Sequence, residues 1–265
     1  ANQEIQDKFH HEINIGHVKT VIVSEDLAKE GISDYLEQLG RNPKTKESLR
    51  LIVCKDPAED ALSLNLESTP YVTDIIEKSI RLHFQDMSIP PGTLRTFFNT
   101  LSQEGIEPSL PYLELEKSQD GTPVGVLVGK IAVFQDDRMI GVLPNHQALG
   151  YSILMGNAIH HLYTTPIQSI GKETNKDDEI GYATMRIRSI KTKITPYINN
   201  EEPSFTVELK IKGDLIEKLP PTEENMFENK NIEKLQEKFA SSYSTLIQNM
   251  LKTIQKEYKT DIIGF

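Results

Sequence analysis

The sequence predicts a mixed α/β and α+β fold, multidomain, with packed helices and a long C-terminal amphipathic helix lying on an antiparallel sheet. Three observations carry this. Near the start, the β-branched apolar run Val18 to Val23 passes directly into Ser24-Glu25-Asp26-Leu27-Ala28, a strand followed by a capped helix start, and Arg50 to Lys55 gives a second apolar strand. Later, Phe205, Val207, Leu209 and Ile211 alternate with Thr206, Glu208, Lys210 and Lys212, the pattern of an antiparallel strand with one buried face. Finally Ile232, Leu235, Phe239, Tyr243, Leu246, Met250, Ile254 and Tyr258 recur at three- and four-residue intervals, one helix of ~45 Å at ~1.5 Å per residue.

Taken in order, the first ten residues are a polar, helix-like segment. After strand Val18 to Val23, helical turns run from Glu25 to Leu39, and Pro57 opens a short helix where a missing amide costs nothing. This β-α-β order with apolar strands predicts adjacent parallel strands. A helix from about Tyr71 to Phe84, capped by Thr69, places Val72, Ile75, Ile76, Ile80 and Leu82 or His83 on one face, and a second runs from about Thr93 to Gln103. Strand Leu110 to Leu115 precedes Ser118 to Gly125, the strongest linker signal, which puts an α/β domain at 1–120 and an α+β domain at 121–265. A loose region, Thr164 to Asp178, suggests a subdivision near 165–180. Gly129 to Phe134 and Arg138 to Leu143 flank a turn at Asp136-Asp137, and Pro144-Asn145 start a helix through Leu154. The strand Tyr182 to Ile198 changes parity, which a bulge near Ser189 reconciles before a turn at Asn199-Asn200. The striped helix needs that sheet to cover it, the alternative being a coiled coil.

Charge narrows the function. A formal net charge of −10 over 265 residues excludes the basic footprint of a nucleic-acid binder and direct adhesion to anionic lipid. No window approaches the ~20 apolar residues of a membrane span, so the chain as given is expected to be soluble. The single cysteine, Cys54, follows Val53 where a lipoprotein peptidase needs a small residue, and reads as a buried strand thiol.

Catalytic motifs fail on spacing. His11, Glu12 and His17 have the composition of a zinc helix, but His17 is six residues on and Gly16 ends any helix. The adjacent pairs His10-His11 and His160-His161 diverge in direction. The Gly125 to Lys130 stretch has one residue too few between glycines for a phosphate loop, and Ile131 stands where a hydroxyl is required. No G-x-S-x-G elbow occurs, and Asp136-Asp137 and Asp177-Asp178 read as solvated turn charges. The expectation is therefore no catalytic residue, no cofactor and no metal.

Four blocks carry a family likeness: GHVKTVIVSEDLA from Gly16, LGRNPKTKESLRLIVCKDPAEDAL from Leu39, GKIAVFQDDRMIGVL from Gly129, and KTDIIGF from Lys259 to the end. In this order they resemble the Ger(x)C family, the C subunits of spore nutrient-germinant receptors. Val142 stands where the family often has Trp, and the chain has none. The resemblance implies a secretory signal, a lipidated cysteine and a β-rich stretch ahead of these blocks, and strands beyond Phe265, so the chain is expected to be N-terminally truncated. It further implies a lipid-anchored, non-enzymatic subunit on the outer face of the spore inner membrane, contacting integral A and B subunits through an N-terminal anchor not in this sequence. Family-matched positions His17, Glu25, Arg41, Asp261 and Phe265 are then partner-interface candidates, with His17 read as buried or at an interface, Glu25 alternatively a helix cap, Arg41 locally paired and Phe265 core. Two rival readings are a metal-dependent hydrolase using the clustered histidines and a stand-alone germinant-binding module with a cleft between units.

Overall fold

The computed structural model describes residues 15–64, 76–79, 89–168, 180–199, 202–219 and 228–265. Its first sheet contains β1 (Thr20–Ser24), β2 (Arg50–Cys54), β3 (Ser109–Lys117), β4 (Pro123–Gln135) and β5 (Arg138–Leu143), in that spatial order. As expected, β1 and β2 are parallel, from Thr20↔Arg50 to Ser24↔Cys54, and β2 and β3 are parallel at Val53↔Tyr112. Leu51, Ile52, Val53 and Cys54 are fully buried, which is why β2 reads as an unbroken apolar run rather than an alternating one. β1 starts at Thr20, because Ile15–His17 forms a 3-10 turn and Val18 is exposed. Of the expected linker Ser118 to Gly125, only 118–122 lie between β3 and β4, where Ser118 N–H donates to the Thr122 carbonyl at 2.9 Å, and the rest already belongs to β4.

The expected helix from Glu25 to Leu39 is two helices, α1 (Glu25–Glu30) and α2 (Ser33–Gly40). Ser24 caps α1, its hydroxyl accepting from Leu27 N–H at 3.4 Å. The chain then breaks at Gly31, whose φ of 122° suits glycine, and where a Cβ would lie 2.9 Å from Asp137 Oδ2. That carboxylate accepts from Ser33 N–H at 3.1 Å, and the Asp137 carbonyl accepts from Ile32 N–H at 3.2 Å. Asp137 therefore caps α2 from the β4–β5 turn, in place of Ile32, which has no acceptor side chain. This corrects the reading of Asp136-Asp137 as solvated turn charges: Asp136 is exposed, but Asp137 has a structural task.

α3 (Ala58–Leu62) follows Pro57 as expected, and α4 (Leu94–Leu101) is closed by a reciprocal pair, Thr93 and Thr96 each accepting from the other's N–H. Phe97 meets Phe134 edge-on at 5.6 Å in a core with Ile32, Leu36, Leu51 and Leu110. Of the helix expected from Tyr71 to Phe84, residues 76–79 are helical and Ile76 is buried. Its other positions, with Thr69, His83, the N-terminal segment with His10-His11, and most of 165–180, lie outside the described residues.

The chain forms two compact units, one of Ala1–Ile80, Pro91–Val128 and Ala132–Val142, the other of Arg81–Pro90, Gly129–Ile131 and Leu143–Phe265. In the second, α5 (Asn145–Leu154) is buried from Ala148 through Leu154, on every face. Gly150 allows the long helix α6 (Asn229–Lys252) to approach, since a Cβ there would stand 3.1 Å from the Leu246 carbonyl. The stripe of α6 buries Leu235, Phe239, Tyr243, Ile247 and Met250 and packs on α5 and on β6 (Leu162–Gln168), where Tyr163 and Tyr243 rings lie 4.7 Å apart. Two corrections follow: Ile247 takes the buried position assigned to Leu246, which is half-buried, and α6 ends in a π-turn over Thr253–Glu257 instead of continuing regularly to Tyr258.

β6 pairs antiparallel with β7 (Ile180–Asn199), and β7 with β8 (Glu202–Leu219). The expected parity change is present as a register shift between Ile187 and Ser189, with a second between Thr184 and Met185. Pairing with β6 ends at Arg186, so from Ile187 to Asn199 the sheet among the described residues is a two-stranded ribbon. Phe205, Val207, Leu209 and Ile211 do share a face, but each is half-buried and not fully buried, as a ribbon covered on one face only in part requires.

Candidate interaction surface

At the carboxyl ends of the parallel strands, acids and bases meet in sets. Tyr112, placed on β3 beside Val53, donates its hydroxyl to Glu25, the first residue of α1, and Lys29 one turn on pairs with the same carboxylate. Beside them Lys55 bridges Glu114 at 3.2 Å, and Lys117 bridges Asp56 at 2.7 Å while Asp56 also accepts from Leu115 N–H at 3.3 Å. Burial pushes the Glu25 carboxyl up, but hydrogen bonds from Lys29 and Tyr112 and the Lys29 and Lys55 charges outweigh it, leaving it below the ordinary value. Asp56 follows the same course, burial being outweighed by Lys117 and the Leu115 amide. Burial, with the Glu25 hydrogen bond second, drives the Tyr112 hydroxyl above its usual range. Glu25 and Asp56 are therefore charged at neutral pH, while the Tyr112 hydroxyl stays protonated and neutral. Nearby, burial pushes the Cys54 thiol up to about 11, so it stays protonated as well as inaccessible.

The five candidate positions divide by task. His17 stands exposed in the 3-10 turn before β1, which removes the buried alternative of the expected buried or interface histidine: the turn ends before the chain enters the sheet. Arg41 is exposed just after α2 and pairs with Glu37 at 2.6 Å, a surface pair between neighbouring turns. Glu25 combines the helix start with the Tyr112 contact. In the other unit Asp261 binds the end of the chain to itself: Oδ1 accepts from Ile263 and Gly264 N–H at 2.8 and 2.9 Å, and Oδ2 from Phe265 N–H at 2.6 Å. The Phe265 ring then lies 5.1 Å from that of Phe205 on β8.

The second histidine pair serves the backbone. His160, at a φ of 70°, donates its N–H to the Ile187 carbonyl at 2.8 Å, and the Ile187 N–H donates to the His161 carbonyl at 3.0 Å. Among the described residues no three His, Cys, Asp or Glu side chains gather at metal-binding distances. No described helix is long and apolar enough to cross a membrane. Tyr112, Asp56 and Lys117 escaped the sequence reading; the strand expected over Leu110 to Leu115 contains Tyr112, but its contact with Glu25 spans 87 residues of sequence and has no local signal.

Two family descriptions match. Residues 1–115 match the spore germination protein N-terminal domain, and residues 129–265 match the spore germination B3/GerAC like C-terminal domain. In Bacillus subtilis (strain 168), the spore germination protein YfkR is 21% identical over 219 residues, covering 82% of this chain and 54% of that protein. The spore germination protein YndF of the same organism is 23% identical over 265 residues, covering 99% of this chain and 61% of that protein. The crystal structure of the GerBC protein superposes with a TM-score of 0.61 at 19% identity, over 92% of this chain and 66% of that one, a likeness of fold. The chain thus spans between about half and two thirds of the length of these relatives.

Proposed function

The chain belongs to the spore germination B3/GerAC like family, and we propose that it acts within a nutrient-germinant receptor as the C subunit, by contact and without catalysis. The observation that carries this is the match of both family domains, which together account for nearly the whole sequence in the expected order. In this reading the full-length protein is held by an N-terminal lipid anchor on the outer face of the spore inner membrane, where it meets integral A and B subunits. The site chemistry is compatible with such a role, because the Glu25 and Asp56 carboxylates are held charged with help from basic partners, a state suited to a fixed surface rather than to proton transfer. His17 and Arg41 present exposed groups to a partner. Glu25 and Asp261 contribute by holding in place the segments around them, and Phe265 by packing on Phe205.

The test uses Arg41→Glu in spores. The side chain is exposed and its ion pair with Glu37 is a surface pair, so stability is expected to stay within ~0.5 kcal/mol of the parent. Co-purification of the A and B subunits and the germination rate are expected to fall at unchanged protein abundance. Full recovery of both membrane subunits with normal germination removes Arg41 from the interface. Failure of the parent protein itself to co-purify with them removes the receptor reading.

A further inference from the structure

The register of the β7–β8 ribbon fixes which side chains share each of its faces. From Ser189 to Tyr197 one face carries the rungs Ser189–Lys212, Lys191–Lys210, Lys193–Glu208, Thr195–Thr206 and Tyr197–Ser204. Three adjacent rungs thus hold four lysines and one acid, and all five of these side chains are exposed. Lys193 reaches Glu208 only at 4.0 Å, and Lys191 stands opposite Lys210, a like-charge pair that costs the ribbon stability. Nearer the rest of the sheet, Asp214 is already taken by Arg188. The opposite face holds half-buried Phe205, Val207, Leu209 and Ile211, and Phe265 packs there against Phe205, so the lysines point away from the apolar cover. Residues 186–212 carry Arg186, Arg188 and the four lysines against Glu201, Glu202 and Glu208, a net +3 within a chain of −10. At the outer end of the ribbon, Tyr197 is 49% and Ile198 81% exposed.

We propose that the lysine face of this ribbon docks on an anionic bilayer, with Tyr197 and Ile198 entering the headgroup layer. An opposite charge laid along the face relieves the repulsion between Lys191 and Lys210, which nothing within the ribbon offsets. The lysines suit a field of mobile phosphates: each is a compact charge on a flexible stem, without the fork by which arginine grips a single carboxylate. Tyr197 shares the lysine face and lies ~20 Å along the strand from Lys191, at ~3.3 Å per residue. A ribbon laid along the surface therefore sets the tyrosine ring at the interface while the ammonium groups reach the phosphates. Basic side chains combined with exposed apolar ones are the two signals that hold a segment at a membrane surface, and an acidic protein partner would need only the first. The net charge of −10 disfavours adhesion of the molecule as a whole, but fields in physiological salt fade over ~8 Å, so the charges nearest the surface decide. The inference rests on the register and charge of the ribbon. It stands or falls independently of the receptor reading, whose lipid anchor is a separate attachment.

The experiment sediments the 265-residue chain with vesicles of phosphatidylcholine, alone or mixed with phosphatidylglycerol, at low and high salt. The chain is expected to follow the anionic vesicles, to be released as salt rises, and to ignore the neutral ones. Lys191→Gln combined with Lys212→Gln is expected to weaken binding roughly twentyfold, because each lysine beside an anionic surface contributes about a fivefold gain. Lys191→Glu combined with Lys212→Glu is expected to abolish it. The new acids then lie opposite Lys210 and Ser189, so circular dichroism melts are expected to show no loss of stability. Lys230→Glu combined with Lys234→Glu makes the same change of net charge at exposed positions of α6, and is expected to bind as the parent does. The chain has no Trp, so Ile198→Trp supplies a single fluorescent reporter, expected to shift to the blue on anionic vesicles. A parent that stays in solution with anionic vesicles at low salt overturns the proposal. So does an α6 variant weakened as much as the ribbon variant, which assigns binding to net charge. A tryptophan that stays unshifted on bound chain, or a DNA duplex bound more tightly than the vesicles, assigns the face to another polyanion and overturns it equally.

Discussion

Replacing Tyr112 by Phe isolates the contact between β3 and the start of α1. The ring is 3% exposed, so its packing is kept and only the hydroxyl that donates to Glu25 is lost. A hydrogen bond to a charged group contributes ~1.5–3 kcal/mol where both partners are buried. The Glu25 side chain is 20% exposed and keeps its Lys29 partner, so the expected loss is ~1–2 kcal/mol at neutral pH. The pH dependence gives a second readout. The Glu25 carboxyl is held below its ordinary value of 4.5 in the folded chain, so its contribution is present above that value and is lost as pH falls through the folded one. Without Tyr112 the depression is smaller, less stability remains to be lost, and the parent and variant curves converge on acidification. Asp56 titrates in the same direction in both proteins and cancels in the comparison. Urea unfolding followed by circular dichroism between neutral pH and pH ~3 measures both effects, with the denaturant slope as a check that the unfolded state is unchanged. Equal midpoints at neutral pH refute the contact. A gap that persists undiminished into acid assigns the loss to ring packing and refutes the ionic part.

In α6, Ile247→Ala is expected to destabilise by ~2–5 kcal/mol, the range for a buried aliphatic truncation, and Leu246→Ala by ~1–2 kcal/mol because that side chain is half-buried. Thermal melts that reverse this order overturn the facing of the helix. Limited proteolysis tests the proposed domain boundary near residue 120: first cuts are expected in the exposed turn 119–122, and none in Asn229–Lys252. Separation of the fragments cut at 119–122 under native conditions supports a boundary there, whereas fragments that stay together place the turn inside one cooperative unit.

The parts legible in the sequence are those whose signal is local. Val21, Ile22 and Val23 with Ser24 behind them, or Thr93 ahead of an apolar helix, carry their structure in a few residues, and both formed within two residues of expectation. What was missed depends on distant partners. Gly31 in a helical pattern is tolerable on propensity alone, and the break there is completed by Asp137, 104 residues from Ser33. Intervals of three and four fit both Leu246 and Ile247 after Tyr243, so the stripe defined α6 without fixing its rotation; close contact with Gly150 of α5 accompanies the choice. Alternation in β8 told which residues share a face but not how much covers it, since cover belongs to neighbouring elements.

The candidate site was legible in a different way, through blocks matched to a family. The block Lys259 to Phe265 shows what such a match reports. Lys259 takes a φ of 53° and Gly264 one of 82°, and the Asp261 carboxylate gathers the amides of Ile263, Gly264 and Phe265. Each of these features needs a particular residue type for the backbone to turn there: an acceptor of short reach at 261, and a residue without a Cβ at 264. A block can therefore be recognisable because it folds one way, whatever it touches. Glu25 has the same character, held by Lys29 and Tyr112 around it. Contact surfaces follow a different rule, since their side chains must be free of such duties. That places the search for partners on exposed groups such as His17 and Arg41, whose substitution the fold tolerates.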